Sequence, residues 1–181
     1  MNGFEYYNPV KVVFGAGMLE KAGEEAAALG KKAMIVSYAE HDLLKPVLDK
    51  AVALMEAEGL SVVNFLEVEP NPEITTVGRG VELAKEQGVD LIVGIGGGSA
   101  MDAAKAIAAG FYYEGDLWNM VYARHDDVQA VPPEQALPML MISTLPATAS
   151  EMNQCSVVSN KAIQEKSYIW HECLFPKTSI L

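Results

Sequence analysis

Basic residues are scarce in this chain. Thirteen lysines and arginines stand against 24 aspartates and glutamates, a net charge of −11. A surface of that sign repels a nucleic-acid backbone, and no basic stripe offsets it, so nucleic acid is excluded as a partner. An anionic cofactor is not excluded, because local N–H groups and a few lysines decide its binding. Cysteine is rare too. Cys155 and Cys173 lack CxxC spacing, which argues against a disulfide framework and for reduced, inert thiols in a cytoplasmic protein. The three histidines, His41, His125 and His171, lie in unrelated segments without HxxxH spacing, and read as structural or surface residues rather than metal ligands. No apolar run reaches the roughly 18 residues of a membrane span. The N-terminal residues MNGFEYYNPVKVVFG lack the basic-then-apolar order of a signal peptide. Internal repeats and low-complexity linkers are missing. What remains is one globular domain: 181 residues, 50% hydrophobic and 20% charged, an ordinary α/β composition.

The most informative stretch is LIVGIGGGSAMDAAKAIAAG, residues 91–110. Its apolar start reads as a buried parallel strand, Gly96, Gly97 and Gly98 as a turn, and the Ala-rich remainder from Ser99 as a helix. Glycine lets a ligand approach the backbone with no Cβ in the way. The first helical N–H groups lack partners within the helix, and the dipole adds positive charge there. The turn is therefore a candidate cradle for a nucleotide or dinucleotide pyrophosphate. Close packing of helix on sheet is the other use of such a turn.

Along the rest of the chain, strands at 11–14, 32–37, 60–66, 90–95 and 137–143 alternate with helices at 18–29, 43–58, 74–87 and 99–110. Gly30, Gly59 and Gly88 close the helices before them. Such alternation predicts a Rossmann-like parallel sheet with helices on both faces and right-handed connections. Residues 111–136 read as a surface excursion with a short helix. Residues 155–159 and 166–170 read as a hairpin, and 177–181 as a last strand. A second polar turn, TLPATASE at 144–151, follows the strand at 137–143. Two turns at the carboxyl edge of one sheet point to a ligand there. Thr144, Thr148 and Ser150 offer hydroxyls to phosphate or ribose, or else cap the next segment.

The blocks YNPVKVVFGAG, EPNP, GGGSAMDAAKAIA, STLPATASEMNQCSVVSN and PKTSIL, in this order, resemble the iron-containing alcohol dehydrogenase family, and within it the butanol-dehydrogenase and aldehyde-reductase branch. The resemblance covers essentially the whole chain. It implies a dinucleotide-binding domain (residues 1–181) with a dehydroquinate-synthase-like fold, followed in the family by a helical domain that holds a divalent metal, such as iron or zinc, through one Asp and three His. The chain stops before such a domain, so no metal site is expected within it. The resemblance further implies that Gly96, Gly97, Gly98 and Ser99 hold the pyrophosphate, that Asp102 sits near the nicotinamide end, and that Thr144, Leu145 and Thr148 line the ribose side. Lys166 falls at a ribose-binding lysine, and Asn71 of EPNP faces the cofactor. Taken alone, Asp102 is equally a charge that complements the helix dipole, and Lys166 a solvated edge lysine. NADP-preferring members carry GGGS-like small residues after the second strand. Here the stretch is Ser37-Tyr38-Ala39-Glu40-His41, and a carboxylate at Glu40 favours NAD over NADP by bonding ribose hydroxyls.

The resulting expectation is the cofactor half of an enzyme that passes hydride between NAD(P) and a small alcohol or aldehyde. It would have no membrane partner, and it would self-associate through apolar surface near 174–181 and the MLMIS strand. A free-standing nucleotide-binding module and the cofactor half of a glycerol-dehydrogenase or dehydroquinate-synthase relative are the competing readings.

Overall fold

The computed structural model describes residues 3–40, 42–122, 125 and 128–181. His41 and the aspartates at 126 and 127 lie outside them. Among the described residues, eight strands and four α-helices follow one another as β1 Lys11–Val13, α1 Ala22–Ala27, β2 Lys32–Tyr38, α2 Lys45–Ala57, β3 Ser61–Val68, α3 Ile74–Gln87, β4 Leu91–Gly96, α4 Gly98–Gly110, β5 Met139–Ser143, β6 Cys155–Asn160, β7 Glu165–Trp170 and β8 Thr178–Ile180. Six strands form one sheet in the order β1-β8-β5-β4-β2-β3. Every pairing in it is parallel. β6 and β7 form a separate antiparallel hairpin.

Alternation along the strands builds two cores. Met34, Val36, Ile92, Met139 and Met141 face one side, with Val77, Val81 and Met101 of α3 and α4. Ala33, Ile35, Leu91, Val93, Ile95, Leu140 and Ile142 face the other, with Ala22, Leu48, Ala51 and Met55 of α1 and α2. A period of two on strands buried on both faces produces this near-continuous apolar sequence. The helix after β2 covers one face and the helix after β4 the other. The neighbouring carboxyl ends of β2 and β4 thus form the switch point where open α/β sheets bind ligands.

The expected doubly wound sheet is therefore present, with local differences. The segment at 18–29 is a 3₁₀ turn, Met18–Lys21, ahead of a short α1. Its first turn has neither a side-chain cap nor a buried residue to favour the wider α form. Gly59 and Gly88 take the left-handed conformation expected of helix ends, with φ of 83° and 62°, whereas Gly30 does not. Gly30 is needed for room: a Cβ there would lie 2.6 Å from the Asp90 carboxylate, which accepts from the Lys31 and Lys32 backbone N–H groups. Residues 111–136 are not all surface. A 3₁₀ turn at Leu117–Met120 buries Trp118 and Met120 in the core beneath α3 and α4. The apolar residues near 174–181 are less exposed than expected, with Phe175 and Leu181 half-buried. β8 lies between β1 and β5, and Leu174 and Ile180 are buried. The exposed large apolar side chains include Phe4, Tyr6, Tyr7, Phe14, Tyr168 and Trp170 instead.

Candidate functional site

At the end of β4, Gly96 adopts φ 146°, and a Cβ there would strike Tyr38 Cε2 at 2.8 Å and Ala100 at 2.9 Å. Only glycine meets both demands. α4 then starts at Gly98 with Gly97 as its N-cap, and no side chain caps it. The hairpin carries a lysine to this helix end. Ser159 N donates to Pro72 O at 2.8 Å, and Ser156 Oγ donates to Asp102 O at 2.7 Å, which fixes the hairpin on α3 and α4. Lys166 Nζ on β7 then donates to Asn71 Oδ1 at 2.6 Å. Asn71 N donates in turn to Ser99 Oγ at 3.2 Å. Asn71 holds φ 59°, a left-handed conformation that asparagine tolerates better than most residues.

One cavity of about 330 Å³ is lined by Asn71, Gly97, Gly98, Ser99, Asp102, Leu145, Thr148 and Lys166, together with Tyr38, Pro72, Ala147 and Val157. Residues expected from four separate stretches of sequence thus share one site. A second cavity of about 670 Å³ takes Glu40 and Thr144, along with Tyr38, Leu44 and Leu145. Thr144 N donates to Gly96 O at 3.0 Å, which ties the two turns together.

Asp102 is buried one turn into α4. Ser150 Oγ donates to its carboxylate at 2.5 Å, and the Val157 backbone N–H donates to it as well. Burial pushes its pKa up, while Ser150, the Val157 N–H, Lys105 and Lys166 work against that rise. Lys105, three residues on, is completely buried. Its Nζ donates to Asn153 O at 2.7 Å, Asn153 Oδ1 at 2.8 Å and Cys155 O at 2.9 Å. Burial lowers its pKa to about 8, against the raising influence of Asp102, Cys155 and Glu151. The amine holds the end of the polar turn, and Asn153 Nδ2 reaches back to Thr148 O at 3.2 Å. Both cysteines are half-buried. Burial raises the Cys155 thiol, with Asp102 adding to the effect, and raises Cys173 to about 11. Burial thus disfavours the thiolate form at both positions.

Tyr38, Lys105 and Asn153 are the site residues that the sequence reading did not single out. Lys105 left a trace: it is the one charge within AAKAIAAG, a stretch apolar all round. Tyr38 left none, since a tyrosine ending a buried strand is common.

Fold and site together define an α/β domain that presents an uncapped helix end, a lysine and a buried carboxylate at the switch point of a parallel sheet. The model for iron-containing alcohol dehydrogenases matches residues 9–181, and the chain belongs to that family. It is 41% identical over its full length to NADH-dependent butanol dehydrogenase A of Clostridium acetobutylicum, covering 45% of that protein. It is 31% identical to the NADPH-dependent aldehyde reductase YqhD of Escherichia coli, over 92% of this chain and 41% of that one. The crystal structure of NADH-dependent butanol dehydrogenase A from Thermotoga maritima superposes with a TM-score of 0.89 at 36% identity, covering 99% of this chain and 44% of that chain. The chain thus spans less than half the length of these relatives. Among the described residues, no group of three or more His, Cys, Asp or Glu could hold a metal ion, and no helix is long and apolar enough to cross a membrane.

Proposed function

We propose that residues 1–181 are the dinucleotide-binding domain of an NAD(P)-linked alcohol dehydrogenase that interconverts a small primary alcohol and its aldehyde. The observation that carries this reading is the single cavity that joins the Cβ-free Gly97–Gly98 turn and the N-terminus of α4 to Lys166 and Asp102. A Cβ on Gly97 would come within 3.1 Å of Tyr38 Oη and 3.2 Å of Leu145, and one on Gly98 within 2.8 Å of Thr148 Oγ1. Glycine keeps Cβ atoms off this helix end, so the residues present fit a pyrophosphate on its N–H groups, although Gly97 N already donates to Tyr38 Oη. Ser99 and Thr148 supply hydroxyls, Lys166 and Asn71 reach a ribose, and Asp102 stands at the nicotinamide end. Glu40 and Thr144, in the neighbouring cavity, receive the adenosine ribose, and the Glu40 carboxylate favours NAD over NADP. When bound, the cofactor would accept the hydride in alcohol oxidation and supply it in aldehyde reduction, and this chain's residues bind and orient it. A divalent metal, iron or zinc, would polarise the substrate oxygen, and no group of the described residues could hold it. A cytoplasmic location and self-association through exposed aromatic surface belong to the same reading.

Gly97→Val tests the site. Gly97 has φ −92°, which valine adopts, but its side chain presses on Tyr38 Oη and Leu145, so circular dichroism must show the variant folded. Affinity for NADH, read by calorimetry, falls at least tenfold. Unchanged affinity in the folded variant would overturn the assignment.

A further inference from the structure

Tyr38 occupies an unusual place. Its phenol oxygen accepts from Gly97 N at 3.1 Å. That N–H belongs to the N-cap residue of α4, in the turn that the proposed function gives to a phosphate oxygen. The two oxygens cannot share the position. Tyr38 and Leu145 are also the two residues common to the cavity at the glycine turn and the cavity at Glu40 and Thr144. Their side chains form the partition between these spaces. A nucleoside diphosphate that places its phosphates on the turn and its ribose beside Glu40 must cross that partition.

The backbone accounts for the aim of this side chain. β2 and β3 run in register from Lys32 to Ser37, and the register shifts between Ser37 and Tyr38, so that Tyr38 pairs with Val68. An irregularity of this kind re-aims the side chain that follows it. Ser37 is fixed on the other side of the shift by Ser37 Oγ donating to Ile95 O at 2.8 Å. Tyr38 itself is only half-buried, and its hydroxyl holds a single backbone N–H, a bond that a charged phosphate oxygen outcompetes. The ring packs beside Gly96, and a turn of its side-chain torsions would open the partition without moving the strand.

We propose that Tyr38 is a displaceable gate of the nucleotide site. Its phenol stands in for a phosphate oxygen on Gly97 N–H, divides the groove in two, and swings aside when a nucleoside diphosphate enters. This rests on the dinucleotide reading of the site. The gate imposes a cost on binding, because the Tyr38–Gly97 bond is broken first.

ADP is the probe, titrated calorimetrically into the wild-type chain, Tyr38→Phe and Tyr38→Ala, with folding checked by circular dichroism. Tyr38→Phe keeps the ring and removes only the competing oxygen, so ADP binds several-fold more tightly than to wild type. Loss of structure could only weaken binding. Tyr38→Ala removes the partition, and ADP associates faster than with wild type by stopped flow. Binding to wild type with equal or weaker binding to Tyr38→Phe overturns the gate and leaves the nucleotide site standing. Absence of ADP binding in all three proteins overturns the nucleotide site and the gate with it.

Discussion

Lys105 shows how much a single residue does in this fold. A fully buried ammonium is costly unless its protons are all taken, and here three oxygens take them, all from Asn153 and Cys155. Burial nonetheless holds its pKa down at about 8, below the ordinary 10.5. Between pH 8 and 10.5 the unfolded chain keeps this proton and the folded chain releases it, so the contribution of Lys105 to stability rises with pH across that window. Below pH 8 both states hold the proton and the desolvation cost is fully present. Lys105→Met removes the titration and takes a donor from the Asn153 and Cys155 backbone carbonyls and from Asn153 Oδ1, which keeps the Cys155 N–H, a loss of about 1–3 kcal/mol. Urea midpoints measured from pH 7 to 10.5 are expected to show wild type gaining on the variant as pH increases. A constant difference between the two would mean that the lysine titrates normally.

At the scale of elements, two glycines in helices make opposite demands. A Cβ on Gly23 of α1 would lie 2.2 Å from the Leu54 carbonyl oxygen and 2.8 Å from its carbon. These are backbone atoms of α2, so the helices must part to admit a methyl group. Gly78 of α3 has nothing within 4 Å of such a Cβ. Gly23→Ala is expected to destabilise by about 1–3 kcal/mol through overpacking. Gly78→Ala is expected to stabilise by about 0.5–1 kcal/mol through helix propensity. Thermal unfolding of the pair checks both, and equal signs would refute the packing account. The same contrast explains what was legible in the sequence. The 2.0 and 3.6 periods, with glycine after each helix, located β2 to β5 and α2 to α4 to within a residue or two, because these segments are buried according to period. That the glycine turn, Asp102, Thr148 and Asn71 would meet was legible because their blocks resemble a family pattern, and Lys166, outside those blocks, lines the same cavity. Trp118 and Met120 were not, since a four-residue 3₁₀ turn has no period to read. Ile180 ends an internal strand, not an exposed edge, because β8 slots between β1 and β5, and a three-residue strand does not reveal its neighbours. Tyr38 was not legible because its role comes from a register shift between two strands.

The whole molecule carries −11 charges, and this sets its response to salt. Two effects compete. Ion pairs such as Lys21–Glu24, Lys45–Asp49 and Arg79–Glu67 join exposed side chains. Each exposed pair contributes little, and salt weakens it. Against this, compaction brings eleven uncompensated negative charges together, and self-repulsion destabilises the folded state more than the expanded chain. Raising ionic strength from about 0.01 M to 0.15 M shortens the screening length from about 30 Å to about 8 Å, from larger than a domain of this size to smaller. Long-range repulsion then falls by a few kcal/mol, on the order of 1–3. Pairs already in contact at under 3 Å lose less, because their attraction acts well inside either screening length. Net charge therefore outweighs the pairs, and Tm is expected to rise by a few degrees between 0.01 and 0.15 M sodium chloride, about 2–4 °C per kcal/mol for a chain of this size. Scanning calorimetry at pH 7 measures it. A Tm that fell with salt would show that the exposed pairs outweigh the repulsion.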